Sequence, residues 1–241
     1  MDTYVGLLEG YHSRDNILRT ISYAAGFASG AFKGKFAKDL IIIANQVSSA
    51  RTVNRLLDDV LMWRETSDWG SSEKDAVSRR LVILGNVAIQ LYYPIEKVAW
   101  AADSDILSLK SGPWWDAGTA AWGIYLLLNI LRIVRQLILI RSKIIRLLKQ
   151  RKLESPERNG EKDAEFIAQL KELKSSRRKE YLSLVKNIAD LTMCINWLPL
   201  KGFLWSGRLS VAKNAFFGTV SSLIGLYLSI ADYHVRKTNT E

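Results

Sequence analysis

Two stretches of this 241-residue chain carry no charged side chain: residues 117–131, between Asp116 and Arg132, and residues 214–231, between Lys213 and Asp232. Elsewhere charges are dense, and Asp, Glu, Lys and Arg make up 24% of the whole. A helix with one face in water carries charges every turn or two, so long charge-free runs in so charged a chain point to lipid. The alternative for both runs is a helix buried in a soluble core. A hydrocarbon core about 30 Å thick takes roughly 20 residues of helix. The run at 117–131 falls short of that, but Trp114 and Trp115 suit one interface while Arg132 and Arg135 can snorkel to the other. The run at 214–231 is long enough almost unaided.

Helical patterning dominates the rest. The prolines are Pro94, Pro113, Pro156 and Pro199, and no sustained period-two alternation of β-branched residues occurs. The expected fold class is all-α: a multi-helix integral membrane protein with amphipathic N-terminal helices and two transmembrane helices. Six regions follow from this: an N-terminal helical, membrane-surface region over 1–112, a transmembrane helix with a basic flank over 113–140, and a charged connector over 141–180. A helix with an interfacial segment over 181–208, a second transmembrane helix over 209–231 and a short tail over 232–241 complete the chain.

Within the N-terminal region a first helix is expected over Tyr4 to Phe32, with Asp15 and Arg19 spaced to pair on one face. Ser22, Gly26, Gly30 and Gly34 recur every fourth residue, and Gly218, Ser222 and Gly225 lie near one face of the later run. Small residues at such spacing admit another helix closely, which favours self-association or tight packing within the chain; the other reading of the first set is a weakened helix end. A second helix is expected over Lys38 to Arg64. There Val53, Leu56, Leu57, Val60 and Leu61 form an apolar stripe, with Arg51 and Arg55 on the polar face. The stripe fits a core-packing helix, and it also fits a wedge inserted among lipids with the two arginines at the headgroups. Residues 67–72 read as a turn, and a third helix starts near Glu73, with a kink at Pro94. The connector reads as a solvated loop with helical ends.

Net charge of +10 is spread along the chain rather than gathered beside a recognition motif, so an anionic membrane surface is the expected partner and nucleic acid is not. One cysteine and two histidines offer no zinc spacing, and no glycine-rich loop precedes a Lys-Ser or Lys-Thr pair. No catalytic residue, cofactor or metal is expected. The first residues lack the basic flank and apolar core of a secretory signal, so the chain is expected to meet its membrane from the cytosol.

Several stretches resemble the peroxin-11 family of peroxisomal membrane proteins. Residues 13–23, Ser-Arg-Asp-Asn-Ile-Leu-Arg-Thr-Ile-Ser-Tyr, look like its N-terminal Gly-Arg-Asp-Lys-type motif, with Ser13 for Gly and Asn16 for Lys. Residues 49–59, from Ser49 to Asp59, and the block Leu91-Tyr92-Tyr93-Pro94-Ile95-Glu96-Lys97-Val98-Ala99-Trp100-Ala101-Ala102-Asp103 are similar to its gamma branch. Trp197-Leu198-Pro199, Trp205-Ser206-Gly207-Arg208 and Gly218 to Ser222 extend the likeness toward the C-terminus. The resemblance implies a protein integral to the peroxisomal membrane, with cytosolic termini, that elongates and tubulates the organelle before fission. It also implies oligomers with itself and related family members, and cooperation with a tail-anchored receptor and a dynamin-type GTPase. A small-metabolite channel is the alternative function. The implied topology puts the connector in the matrix, yet Arg132, Arg135, Arg141, Lys143 and Arg146 crowd its start, and the positive-inside rule favours the cytosol for them.

Overall fold

A computed structural model describes residues 11–56, 63–64, 66–68, 70–153 and 160–238. Among these residues there are six α-helices and no strand: α1 Tyr11–Ala28, α2 Gly34–Arg55, α3 Ala76–Asp103, α4 Gly112–Leu153, α5 Gly160–Trp197 and α6 Val211–Thr238, with a 3-10 turn at Ser29–Ala31. The all-helical expectation holds. α4 and the Val211–His234 part of α6 are long and apolar enough to cross a membrane.

Local chemistry sets several boundaries. Asp75 caps α3, its carboxylate accepting from the Ser78 N–H at 2.9 Å and the Ser78 hydroxyl at 3.1 Å. The turn before it is held by Asp68, which accepts from the Ser72 hydroxyl at 2.7 Å. α3 continues through Pro94, where the sequence predicts a kink. It packs on α4 on both sides of the proline, with Gly85 against Tyr125 and Gly118 against Ile95 and Tyr92.

The helical ends expected of the charged connector are long. Residues 141–153 complete α4, and residues 160–180 are the first half of α5, so both flanks are helix. α4 has 42 residues and is about 63 Å long, far beyond what a bilayer needs. Buried Leu126, Ile133, Ile140 and Ile144 form one row along it, so the apolar seam with α5 outlasts the change to a charged exterior. An Arg151–Asp163 ion pair ties the two helices together near the tip.

α3 packs on α4, α4 on α5, α5 on α6, α6 on α1 and α1 on α2. Arg55 of α2 reaches Glu96 of α3 at 2.5 Å and closes the sequence of helices into a ring. Small residues make the α1–α6 approach possible: a methyl built on Gly26 would lie 3.2 Å from Ala215 Cβ, and one on Gly30 2.5 Å from Ala212 Cβ. One on Gly218 would enter the Tyr23 ring, and one on Gly225 would lie 3.0 Å from Asn16 Oδ1. Ser222 is fully buried and donates to the Gly218 carbonyl at 2.5 Å. Of the two uses open to these positions, the structure realises packing within the chain. Gly34 is different. Nothing lies near it, and its φ of +71° starts α2 in a conformation that favours glycine.

Candidate membrane-facing site

The residues expected to insert among lipids divide unevenly. Leu57, Val60 and Leu61 lie outside the described residues. Val53, on the last turn of α2, is 49% exposed, and Leu56 follows the helix end half-buried. Phe36, Ile41, Ile42 and Ile43 are also exposed on α2. Arg51 and Arg55, expected to reach headgroups, turn the other way. Arg51 is 8% exposed and holds Asp15 bidentately, Nε donating at 2.8 Å and Nη2 at 3.0 Å. Arg55 binds both oxygens of Glu96, which also accepts from the Tyr92 hydroxyl at 2.6 Å. Arg51 has a half-buried carboxylate partner and Arg55 a buried one, which fix them against the bundle better than a mobile headgroup can. α2 therefore turns Arg51 and Arg55 inward and leaves Phe36, Ile42, Ile43 and Val53 exposed, with Lys35 and Lys38 exposed near its start.

The same inversion runs through the molecule. Asp190, at 1% exposed, pairs with Arg19, accepts from the Ser221 hydroxyl at 2.5 Å and meets Lys186 at 3.2 Å. Asn129 donates to Asn187 at 2.9 Å. On the outside, by contrast, Leu84, Val87, Leu91, Ile124, Leu127, Leu131, Val185 and Ile188 are all exposed. Asp15 and Arg19, expected to pair with each other, are instead drawn to separate helices by Arg51 and Asp190. The sequence signal for this cluster was the isolated Lys186–Asp190 pair, four residues apart in an otherwise uncharged run from Tyr181 to Leu198. Nothing local could show that Arg19, 171 residues away, completes it.

Two carboxylates at the basic end of the bundle differ in setting. The Asp75 carboxyl sits well below the usual carboxylate range because Arg135 binds it at 2.8 Å and the Ser78 N–H donates to it. The Glu180 carboxyl is pushed up by burial, with Glu73 adding to the shift and Arg132 opposing it. Its Oε2 is shut off from solvent without a hydrogen-bond partner. Within the ring lies a cavity of about 590 Å³, lined by Arg19, Arg51, Arg55, Trp115, Trp122 and Trp197 among others. Its three arginines are each held by a carboxylate.

Over residues 1–230 the chain matches the family model described as Peroxisomal biogenesis factor 11 (PEX11). The chain belongs to the PEX11 family, a family of peroxisome biogenesis factors. Among curated relatives, the Homo sapiens protein named Peroxisomal membrane protein 11C is 34% identical over 233 residues, covering 91% of this chain and 90% of the relative. The Mus musculus protein of the same name is 33% identical over 226 residues, covering 90% and 89%. The resemblance to the gamma branch agrees with these 11C relatives. No solved structure matches the chain. The exposed apolar rows and the buried ion pairs are thus features of a PEX11 family member whose relatives are named as membrane proteins.

Proposed function

We propose that the chain remodels the peroxisomal membrane, promoting its elongation and fission, without catalysing a reaction. The observation that carries this reading is the outer face of α2: Phe36, Ile42, Ile43 and Val53 stand exposed where a water-facing helix would place charge, while Arg51 and Arg55 are turned inward. Full burial of one such side chain contributes about 1.5–3 kcal/mol, so this half-exposed set gains on the order of 3–6 kcal/mol on entering lipid. Shallow insertion in one leaflet expands that leaflet and bends the sheet. Membrane-spanning helices hold the wedge at the surface, so it acts at high local concentration.

Oligomers with itself and related family members multiply the effect. Since α1–α6 packing occupies Gly26, Gly30, Gly218 and Gly225, contacts between copies use other faces. A tail-anchored receptor and a dynamin-type GTPase act on the tubules so formed. The test uses the full chain reconstituted in liposomes of anionic composition. Wild type is expected to draw tubules, and Ile42→Glu with Val53→Glu to abolish them while the protein stays in the membrane; undiminished tubulation by that variant would remove the wedge.

The cavity favours one second reading, a small-metabolite channel. Arg51→Ala would then raise conductance in planar bilayers by freeing Asp15, whereas bilayers that stay silent with the wild-type chain would exclude conduction.

A further inference from the structure

Contacts along α3 to α6 place the four helices side by side, each antiparallel to the next. On α4, Trp115, Tyr125 and Arg135 face Asp103, Gly85 and Asp75 of α3. Thr119, Asn129 and Arg151 of the same helix face Cys194, Asn187 and Asp163 of α5. Between α5 and α6, Lys179 pairs with Asp232, Asp190 with Ser221, and Asn196 with Asn214. α5 therefore retraces the whole of α4, and α6 starts beside the N-terminal end of α4.

The outer faces match in depth. On α4, Ala117, Ile124, Leu127, Leu131, Val134 and Ile138 form one exposed row, about 32 Å long at the rise of a helix, which equals a hydrocarbon core. α5 shows Tyr181, Val185 and Ile188 outward at the same level, and its only charges between 181 and 197, Lys186 and Asp190, are engaged with each other. α3 shows Leu84, Val87 and Leu91 outward, with no charge from Leu81 to Ile95. A helix whose oil faces out and whose ions face in is built for hydrocarbon on its outside.

The two ends of this block differ in kind. At one end the turns at 104–111 and 198–210 expose Ile106, Leu109, Leu200, Phe203 and Leu204, near Trp114, Trp115, Trp197 and Trp205, the amphipathic residues of a membrane interface. At the other end lie Arg141, Lys143, Arg146, Lys149 and Lys152 of α4, Arg177 to Lys179 of α5 and the C-terminal Arg236 and Lys237.

We infer that α3 and the second half of α5 cross the membrane beside α4 and α6, their outer faces against lipid acyl chains, so that the charged α4–α5 hairpin projects on the same side as the C-terminus. Acyl chains are the occupant because the exposed rows on α3 and α5 continue the lipid-facing row of α4 without a charged break. The arrangement also removes the conflict over the basic residues at 132–146: with α5 recrossing, they share the side of the C-terminal basic residues, as the positive-inside rule asks. The inference rests on the membrane reading but is independent of the wedge.

The test places single cysteines in the full chain as Lys110→Cys, Lys152→Cys, Lys201→Cys and Lys237→Cys, with the wild type, whose Cys194 is buried, as the blank. Intact peroxisomes are treated with a membrane-impermeant maleimide, with and without detergent. Lys152→Cys and Lys237→Cys should react alike without detergent, with Lys110→Cys and Lys201→Cys behaving oppositely. Lys110→Cys grouped with Lys237→Cys, against Lys152→Cys with Lys201→Cys, is the result of two crossings only and would overturn the inference. Four thiols that all react alike would also overturn it. If in that case the protein is released by alkaline carbonate, the membrane reading falls with it; retention in the pellet would leave the failure with the crossing of α3 and α5.

Discussion

Asp190 is held from two neighbouring helices and from its own, by Arg19, Ser221 and Lys186. Such a buried pair adds little net stability over a well-packed apolar substitute, but removing one partner strands a charge, at a cost of about 3–5 kcal/mol. Asp190→Ala should therefore lower the melting temperature in detergent sharply, and Arg19→Met with Asp190→Leu should recover most of the loss. A double variant no better than the single one would show that the two side chains are not coupled. Asp75 responds to pH instead. Its carboxyl is depressed in the folded chain by Arg135 and the Ser78 N–H, so its contribution is complete above the unfolded value of about 3.9 and is lost as the pH falls toward the folded one. Asp75→Asn should flatten the acid limb of stability against pH in micelles; an unchanged limb would show that the cap and its arginine do not set it. Glu180 has the opposite sign, because its raised carboxyl weakens the fold at neutral pH and the penalty fades as the group protonates.

At the scale of elements, the small-residue positions separate into two kinds that sequence spacing alone makes equal. Gly218→Ala drives a methyl into the Tyr23 ring, whereas Gly34→Ala meets no neighbour and strains the backbone at φ +71°. The second should cost about 1–2 kcal/mol and be eased by Gly34→Asn, since Asn tolerates that conformation. The first should be eased by Tyr23→Ala and not by any change near Gly34, with thermal unfolding of the single and paired variants as the measurement. α2 shows the same limit on what spacing reveals. Its amphipathic pattern was legible, but the sense was not: a helical wheel separates Val53 from Arg51 without saying which face meets the bundle. Asp15 and Glu96 decide that, and they lie 36 and 41 residues away from the arginines they bind. The charged stretch at 141–180 reads as a loop with helical ends, but solvated helix and loop share a composition, so how far each end runs is not legible; burial of Ile140 and Ile144 on a helix packed on α5 marks how far α4 continues.

For the whole molecule, exposed apolar rows on α2 to α5 backed by buried ion pairs predict that the chain stays in the membrane pellet through alkaline carbonate extraction and aggregates when detergent is withdrawn. Recovery as a dispersed species in buffer alone would contradict the lipid-facing exterior. The absence of charge over residues 117–131 and 214–231 was enough, by itself, to give two helices suited to hydrocarbon, because the cost of an unpaired charge in lipid is a property of each side chain and needs no neighbour. All-helical content followed from periodicity for the same reason. What the sequence could not decide is which charges escape that cost by pairing. Glu96, Lys186 and Asp190 are charges whose partners the sequence does not show, and the tertiary structure sets Arg55, Arg19 and Ser221 against Glu96 and Asp190. Neutralisation across helices is a relation between distant positions, and only the folded chain brings those positions together.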